Sequence, residues 1–187
     1  MIKNNIPNTL TLLRIFLVPV FIFELLAKQD YLISFIVFTV ASISDWADGY
    51  FARKFNVMSD FGAFFDPLAD KFLVLAAFIS FLYIDLLNSS VELWMVVIIA
   101  LRDFSITLLR VIVNRKGNYK LVTTKIAKLK TALQLITINF ILLTLIFLNY
   151  FDFIYYLMLM TTSITFYTGI HYYYNNAKQL SSILFNK

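Results

Sequence analysis

The stretch SDWADGYFARKFNVMSDFGAFFDPLADK, residues 44–71, lies between two apolar runs and carries the most unusual feature of the chain. Besides Asp60, it contains two pairs of aspartates, Asp45 with Asp48 and Asp66 with Asp70. The first pair is spaced i, i+3 and the second i, i+4, so each pair shares one face of a helix. Because the connection between the pairs is short, we expect two antiparallel neighbouring helices whose carboxylates can face each other.

The rest of the chain is too apolar for a protein that folds in water. Of its 187 residues, 60% are hydrophobic and 14% are charged, against about 45–50% and about 25% in soluble domains. Lipid offers the backbone no hydrogen bonds, so apolar segments that cross a membrane form helices and not open strands. We therefore predict an all-α integral membrane protein, a bundle of six transmembrane helices forming one domain over residues 1–187. The six runs are Leu10–Leu26, Tyr31–Ile43 with a continuation through Ser44–Ala52, Gly62–Ile84, Leu93–Val113, Thr131–Leu148 and Phe153–Tyr173.

Basic residues mark alternate connections between these runs. One set of connections carries only Lys28, whereas the other carries Lys3, Arg53, Lys54, six basic residues within 114–130, Lys178 and Lys187. The positive-inside rule therefore places both termini and the aspartates on the cytoplasmic side of a cell membrane. The net charge of +5 comes mostly from this asymmetry, so it does not predict nucleic-acid binding.

The residue types that are missing restrict the chemistry. The chain has no cysteine, which excludes disulfides, thiolate zinc sites, iron–sulfur clusters and thiol catalysis. Its one histidine, His171, lies among tyrosines in the sixth run and fits the aromatic belt of a membrane interface. Polar chemistry must therefore come from carboxylates, lysines and arginines.

Four clustered carboxylates at a membrane helix boundary need neutralisation. A charge within the bilayer costs about 2.5–3.5 kcal/mol on insertion scales, and neighbouring carboxylates repel one another. Two divalent ions with a preference for oxygen, Mg²⁺ or Mn²⁺, match four aspartates without any nitrogen or sulfur ligand. Arg53, beside the cluster, has a guanidinium suited to a phosphate. Gly49, Ala52 and Gly62 leave room for a ligand near the backbone.

Other interpretations of the same aspartates remain open. Arg53, Lys71 and water could neutralise them at a solvated helix end, or they could form a proton relay or ion path. A divalent-metal transporter is a further hypothesis from a different functional class. Transporters often show repeated halves and mid-bilayer polar groups, whereas this sequence has no internal repeat and its four aspartates lie towards one side.

The motif as a whole resembles the signature of the CDP-alcohol phosphotransferase family. It is Asp45-x-x-Asp48-Gly49-x-x-Ala52-Arg53, eight residues, then Gly62-x-x-x-Asp66-x-x-x-Asp70. Outside it, Asn5-Ile6-Pro7-Asn8, Arg102-x7-Arg110 and Lys128-Leu129-Lys130-Thr131 are similar to the bacterial members that make phosphatidylglycerophosphate. Ala63, Leu108 and Ala127 depart from that pattern, and none of them is a predicted metal ligand.

The resemblance implies the roles of individual residues. Asp45, Asp48, Asp66 and Asp70 would bind two Mg²⁺ or Mn²⁺ ions, and Asp70 would also be the general base. Gly49, Ala52 and Arg53 would contact the CDP group of CDP-diacylglycerol, and Gly62 would leave room for it. The family also implies a homodimer within membrane lipids.

The acceptor alcohol is predicted from basic residues farther along the chain. Arg110, Lys128 and Lys130 would form a site for a second phosphate, and glycerol 3-phosphate is the acceptor that the resemblance implies. A cardiolipin-type or inositol-phosphate-type acceptor stays open. Arg102 could bind the acceptor or form an internal ion pair with an aspartate.

Overall fold

The computed structural model describes the backbone of residues 13–55, 60–115, 125–149 and 151–185. Within these ranges it describes the side chains of residues 13–44, 71–110, 113, 129–149 and 151–177. All regular structure in the described part of the chain is helical. The all-α prediction is confirmed for these residues.

Six long helices follow one another along the described chain. The first, α1, covers residues 13–22 and runs into a π-helical turn at Phe23–Ala27. A 3₁₀ turn at Asp85–Leu87 separates the third helix from the fourth. The remaining helices are α2 at Tyr31–Phe55, α3 at Asp60–Phe81, α4 at Leu93–Arg115, α5 at Lys125–Phe147 and α6 at Phe151–Phe185.

Polar residues fix where α1 ends and α2 begins. Lys28 Nζ bonds Glu24 Oε1 at 2.8 Å across one turn, and Gln29 adopts a positive φ of 54° that stops the helix. Asp30 then caps α2, because its Oδ1 accepts a hydrogen bond from the backbone N–H of Ile33 at 2.9 Å. The break predicted around residues 28–30 is therefore confirmed as a helix boundary that specific polar contacts stabilise.

The helices correspond to the six predicted runs but several are longer. α2 continues through Phe55, as its predicted extension requires, whereas α6 continues to Phe185, well beyond the predicted Tyr173. An apolar run marks only the part of a helix that lipid would surround, and a helix can continue into polar surroundings. The polar pairs Asn175–Asn176 and Lys178–Gln179 end the apolar run without ending the helix.

Two helical segments in the described residues are long and apolar enough to cross a membrane, Leu129–Phe147 and Phe151–Ala177. In α4, the charged residues Arg102, Asp103 and Arg110 interrupt the apolar sequence. Large exposed apolar side chains, such as Phe16, Leu101 and Ile136, lie on the outside of several helices. Such surface is costly in water and suits contact with lipid.

Packing divides the bundle into an apolar end and a polar end. α5 contacts α2, α3 and α6, while α4 packs against α3 and α6. Fully buried Phe38, Phe78, Phe81 and Met95 fill the apolar end. The other end, toward the middle of α4 and the first half of α5, buries charged side chains as well, among them Asp103 and Lys130. That polar end is where the candidate site lies.

Candidate active site

The four aspartates of the motif lie on continuous helical backbone. Asp45 and Asp48 belong to α2, and Asp66 and Asp70 belong to α3. The two helices contact each other and are separated only by residues 56–59. The i, i+3 and i, i+4 spacings therefore do place each pair on one helix face.

The side chains of this stretch lie outside those that the structure describes, so their roles stay predictions. This holds for the four aspartates and for Gly49, Ala52, Arg53 and Gly62. The donor set itself fits divalent ions, because it consists of four carboxylates on two contacting helices. Lys128 likewise falls outside the described side chains.

A buried ion pair joins α4 to α5. Lys130 Nζ lies 2.5 Å from both carboxylate oxygens of Asp103. The side chain of Lys130 is 1% exposed and that of Asp103 is 0% exposed. Water does not reach this pair, so each charge depends on the other and on nearby polar groups.

Arg102 extends the same ion pair to α6. Its Nη1 bonds Asp103 Oδ1 at 3.0 Å, and its Nη2 donates to Thr168 Oγ1 at 3.2 Å. Gln134 Nε2 also approaches Asp103 Oδ2 at 3.4 Å. Of the two interpretations of Arg102, the structure shows the internal ion pair with an aspartate.

A glycine on α6 makes room for the arginine. A Cβ atom built on Gly169 would lie 3.0 Å from Cγ of Arg102. The absence of a side chain at this position therefore lets the stem of Arg102 pass close to α6 and reach Thr168.

Arg110 forms a second contact between α4 and α6. Its Nε donates to the hydroxyl of Tyr172 at 3.3 Å, and its guanidinium lies 5.2 Å from the centre of the Tyr172 ring. Tyr172 is 2% exposed. Both arginines of α4 thus reach the α6 side, as their spacing of eight residues predicts. We call Arg102, Asp103, Arg110, Lys130, Gln134, Thr168 and Tyr172 the polar layer.

Buried threonines lie next to the polar layer, between α5 and α6. Thr137 and Thr161 share a hydrogen bond of 2.7 Å between α5 and α6, and both are fully buried. Beyond them, toward the apolar end, the interior is formed mainly by aliphatic and aromatic side chains. Thr137 and Thr161 therefore lie near the transition between the two ends.

A small cavity lies between the polar layer and α3. It has a volume of about 10 Å³ and is lined by Lys71, Phe72, Asp103, Phe104 and Thr107. Lys71 follows Asp70 directly in the sequence. The cavity therefore places Asp103 beside the helix that carries the second aspartate pair.

Sequence reasoning identified the basic members of the polar layer but missed the partners that hold them. The sequence pattern leaves the aspartate partner of Arg102 unspecified and assigns no role to Gln134, Thr168 or Tyr172. A signal for Asp103 was present, because a carboxylate inside an apolar run is costly and usually has a specific partner. No sequence spacing, however, connects residue 103 to residue 130 or 168.

The sequence is similar to proteins of known type over most of its length. The profile of the CDP-alcohol phosphatidyltransferase family matches residues 4–167. A CDP-diacylglycerol–glycerol-3-phosphate 3-phosphatidyltransferase of Bacillus subtilis strain 168 is 39% identical over 153 residues, covering 74% of this chain and 77% of the relative. The protein of the same name from Wigglesworthia glossinidia brevipalpis is 38% identical over 142 residues, covering 73% and 75%.

A more distant relative gives the same indication. The probable phosphatidylglycerophosphate synthase of Mycobacterium tuberculosis strain H37Rv is 35% identical over 146 residues, covering 75% of this chain and 67% of the relative. The family match spans α1 to α5 and more than half of the apolar part of α6, so it includes the aspartate motif and most of the polar layer. The chain therefore belongs to the CDP-alcohol phosphatidyltransferase family.

Proposed function

We propose that this protein transfers the phosphatidyl group of CDP-diacylglycerol to glycerol 3-phosphate, giving phosphatidylglycerophosphate and CMP. The observation that carries the proposal is the identity of 38–39% over about three quarters of the chain to two relatives named for that reaction. The polar layer supports it, since its cations on α4 and α5 suit an acceptor that has its own phosphate.

The aspartates would bind the diphosphate through divalent ions. Asp45, Asp48, Asp66 and Asp70 would hold two Mg²⁺ or Mn²⁺ ions, in agreement with an all-oxygen donor set on contacting helices. When bound, the ions would neutralise charge on the diphosphate and on the departing CMP. A transport role for the same aspartates loses its support, because the family to which the chain belongs consists of transferases.

The protein residues would perform the proton transfer and hold the CDP group. Asp70 would accept the proton of the acceptor's primary hydroxyl as its oxygen forms a bond to the phosphorus that carries diacylglycerol. The bond from that phosphorus to the CMP oxygen would break, and CMP would leave. Arg53, with Gly49 and Ala52, would hold the CDP group on α2, and Gly62 would leave space on α3.

The acceptor would bind at the other side of the reacting phosphorus. Arg110, Lys128 and Lys130 would bind the phosphate of glycerol 3-phosphate. Arg110 already lies in the polar layer against Tyr172, and Lys130 lies in the same layer with Asp103. Serine, which has no phosphate, would leave this proposed phosphate site empty.

The membrane arrangement completes the proposal. Six helices would span the membrane, with both termini and the site on the cytoplasmic side, and two copies would form a homodimer. Support comes from the six helices at the predicted positions and from the basic residues in alternate connections.

An acceptor panel tests the function directly. The protein purified in detergent is supplied with CDP-diacylglycerol, Mg²⁺ and one of four acceptors: glycerol 3-phosphate, serine, inositol phosphate or phosphatidylglycerol. We expect CMP release to require glycerol 3-phosphate and the product to be phosphatidylglycerophosphate by mass spectrometry. Release with inositol phosphate or phosphatidylglycerol alone would overturn the acceptor assignment but keep the transferase.

A further inference from the structure

Asp103 is the one carboxylate of the polar layer, and it serves two cations at once. Lys130 contacts both of its oxygens, and Arg102 bonds one of them. Asp103 has no predicted role in the reaction. Its burial, at 1% exposure, means that the carboxylate is held away from solvent for a structural or a functional reason.

A purely structural reason explains the geometry poorly. Removing two charges from water costs several kcal/mol per ion, and a well-packed apolar pair of similar volume is often as stable or more stable. Apolar side chains already fill the opposite end of the same helices. Burying three charged groups where an apolar contact would suffice therefore indicates that the cations are needed there.

The charges of this part of the layer do not cancel. Arg102 and Lys130 contribute two positive charges and Asp103 contributes one negative charge, and Gln134 and Thr168 are neutral. Lys71 of α3 adds a further cation at the small cavity that Asp103 lines. The described side chains around Asp103 therefore carry more positive than negative charge in a site from which water is largely excluded. An anion brought to this place would gain more from that charge than it would at a solvated surface.

The location relates this charge to the acceptor. Arg110 is eight residues from Arg102 on α4, or ~12 Å along the helix axis, and both reach α6 within one turn, at Tyr172 and Thr168. Lys130 is itself one of the residues assigned to the acceptor phosphate. The Asp103 cluster therefore shares Lys130 with the proposed acceptor site and lies about two turns of α4 before Arg110, that is, beneath it.

We propose that Asp103 is a positioning residue for the acceptor: it keeps Lys130 and Arg102 together beneath Arg110, so that the phosphate of the acceptor meets a fixed excess of positive charge. This inference rests on the proposed function and adds to it. Asp103 acts through Lys130 and Arg102 and does not touch the reacting atoms. Without it, the two cations would repel each other and move apart.

Steady-state kinetics of three variants in detergent test this role. In Asp103→Asn, we expect KM for glycerol 3-phosphate to rise by at least ~10-fold, as for the loss of a charge-assisted contact, while KM for CDP-diacylglycerol changes by less than about twofold. Asp103→Glu, which retains the charge, should recover part of the loss. A matched control is Thr137→Val, which breaks the buried bond to Thr161 between the same helices and should lower Tm without changing either KM.

A double variant covers the case in which Asp103→Asn does not fold, since an unpaired buried cation is strongly destabilising. Asp103→Asn with Lys130→Gln removes the pair and should restore Tm. Because Lys130 is itself assigned to the acceptor phosphate, the reference is Lys130→Gln alone, and we expect KM for glycerol 3-phosphate to be higher in the double variant, since Asp103 then no longer holds Arg102. A folded Asp103→Asn variant with the wild-type KM for glycerol 3-phosphate, or a double variant with the same KM as Lys130→Gln, would show that Asp103 is only structural. Equal increases in both KM values would overturn the proposal as well. A wild-type protein that releases CMP only with another acceptor refutes the proposed function separately, and the variants are then compared on that acceptor.

Discussion

The aspartate motif on α2 and α3 and the polar layer on α4, α5 and α6 are built in opposite ways. Every member of the motif lies within residues 45–70, and the spacing along two contacting helices places each pair of aspartates on one helix face. The polar layer joins residues that are 27, 62 and 66 positions apart. Local helical geometry is sufficient for the first, whereas the second depends on how three helices pack. The proposed halves of the reaction, the CDP side and the acceptor side, follow the same division.

Removal of divalent ions should have the largest effect and should act on the motif alone. With EDTA in excess, we expect CMP release to fall to background, because four carboxylates would then repel each other and lose the diphosphate. Adding back Mg²⁺ or Mn²⁺ should restore activity. Thermal unfolding monitored in parallel gives the control, since a cooperative unfolding transition that persists in EDTA shows that activity is lost without loss of the fold. Full activity in chelator would refute the two-ion proposal.

The next largest effect is expected for the base. Asp70→Asn should lower turnover by at least ~10²-fold, because an amide cannot accept the proton of the acceptor. Binding of CDP-diacylglycerol should persist in this variant, whereas Asp45→Asn should weaken metal and nucleotide binding together. Equilibrium binding and single-turnover CMP release on both variants separate the two roles. Near-normal turnover in Asp70→Asn would leave Asp70 only as a ligand.

Substitutions of single arginines should separate the two halves of the site. Arg110→Ala should raise KM for glycerol 3-phosphate by about 10- to 100-fold, equivalent to about 1.5–3 kcal/mol for a lost charge-assisted bond, and change KM for CDP-diacylglycerol little. Arg53→Ala should do the reverse. Tyr172→Phe is the matched control for Arg110, because it removes the hydroxyl that accepts from Nε and leaves the cation in place. Equal changes in both KM values for both arginine variants would contradict the division.

The smallest effect is expected where the polar layer depends on packing alone. Gly169→Val would introduce a branched side chain beside Cγ of Arg102, at a cost of about 1–3 kcal/mol for overpacking. We expect a decrease in Tm of several degrees, measured by thermal unfolding in detergent, and an increase of a few fold in KM for glycerol 3-phosphate. Ile170→Val, at the exposed neighbouring position, should change neither. An unchanged Tm in Gly169→Val would show that Arg102 has room to move.

Sequence reasoning succeeded for the aspartate motif and only in part for the polar layer, because the first depends on local spacing and the second on how the helices pack. The continuation of α2 through residue 52 and the helical placement of both aspartate pairs were predicted correctly, since both follow from local spacing. The prediction that Arg102 and Arg110 share a helix face was also confirmed by their contacts with Thr168 and Tyr172. The partner of Lys130 could not be predicted, because the sequence contains several carboxylates and does not show which of them packs against this lysine.

The sequence by itself determined the helical class, the positions of the six helices, the aspartate spacing and the family. These properties depend on composition and on spacings of a few residues along the chain, and neither depends on how the helices pack together. Only the tertiary structure decided that Asp103 binds both Lys130 and Arg102, that Gly169 makes room for Arg102, and that Tyr172 receives Arg110. The physical reason is that buried charges must find partners wherever the packed helices bring them within a few ångströms, and that proximity is not encoded in any local pattern.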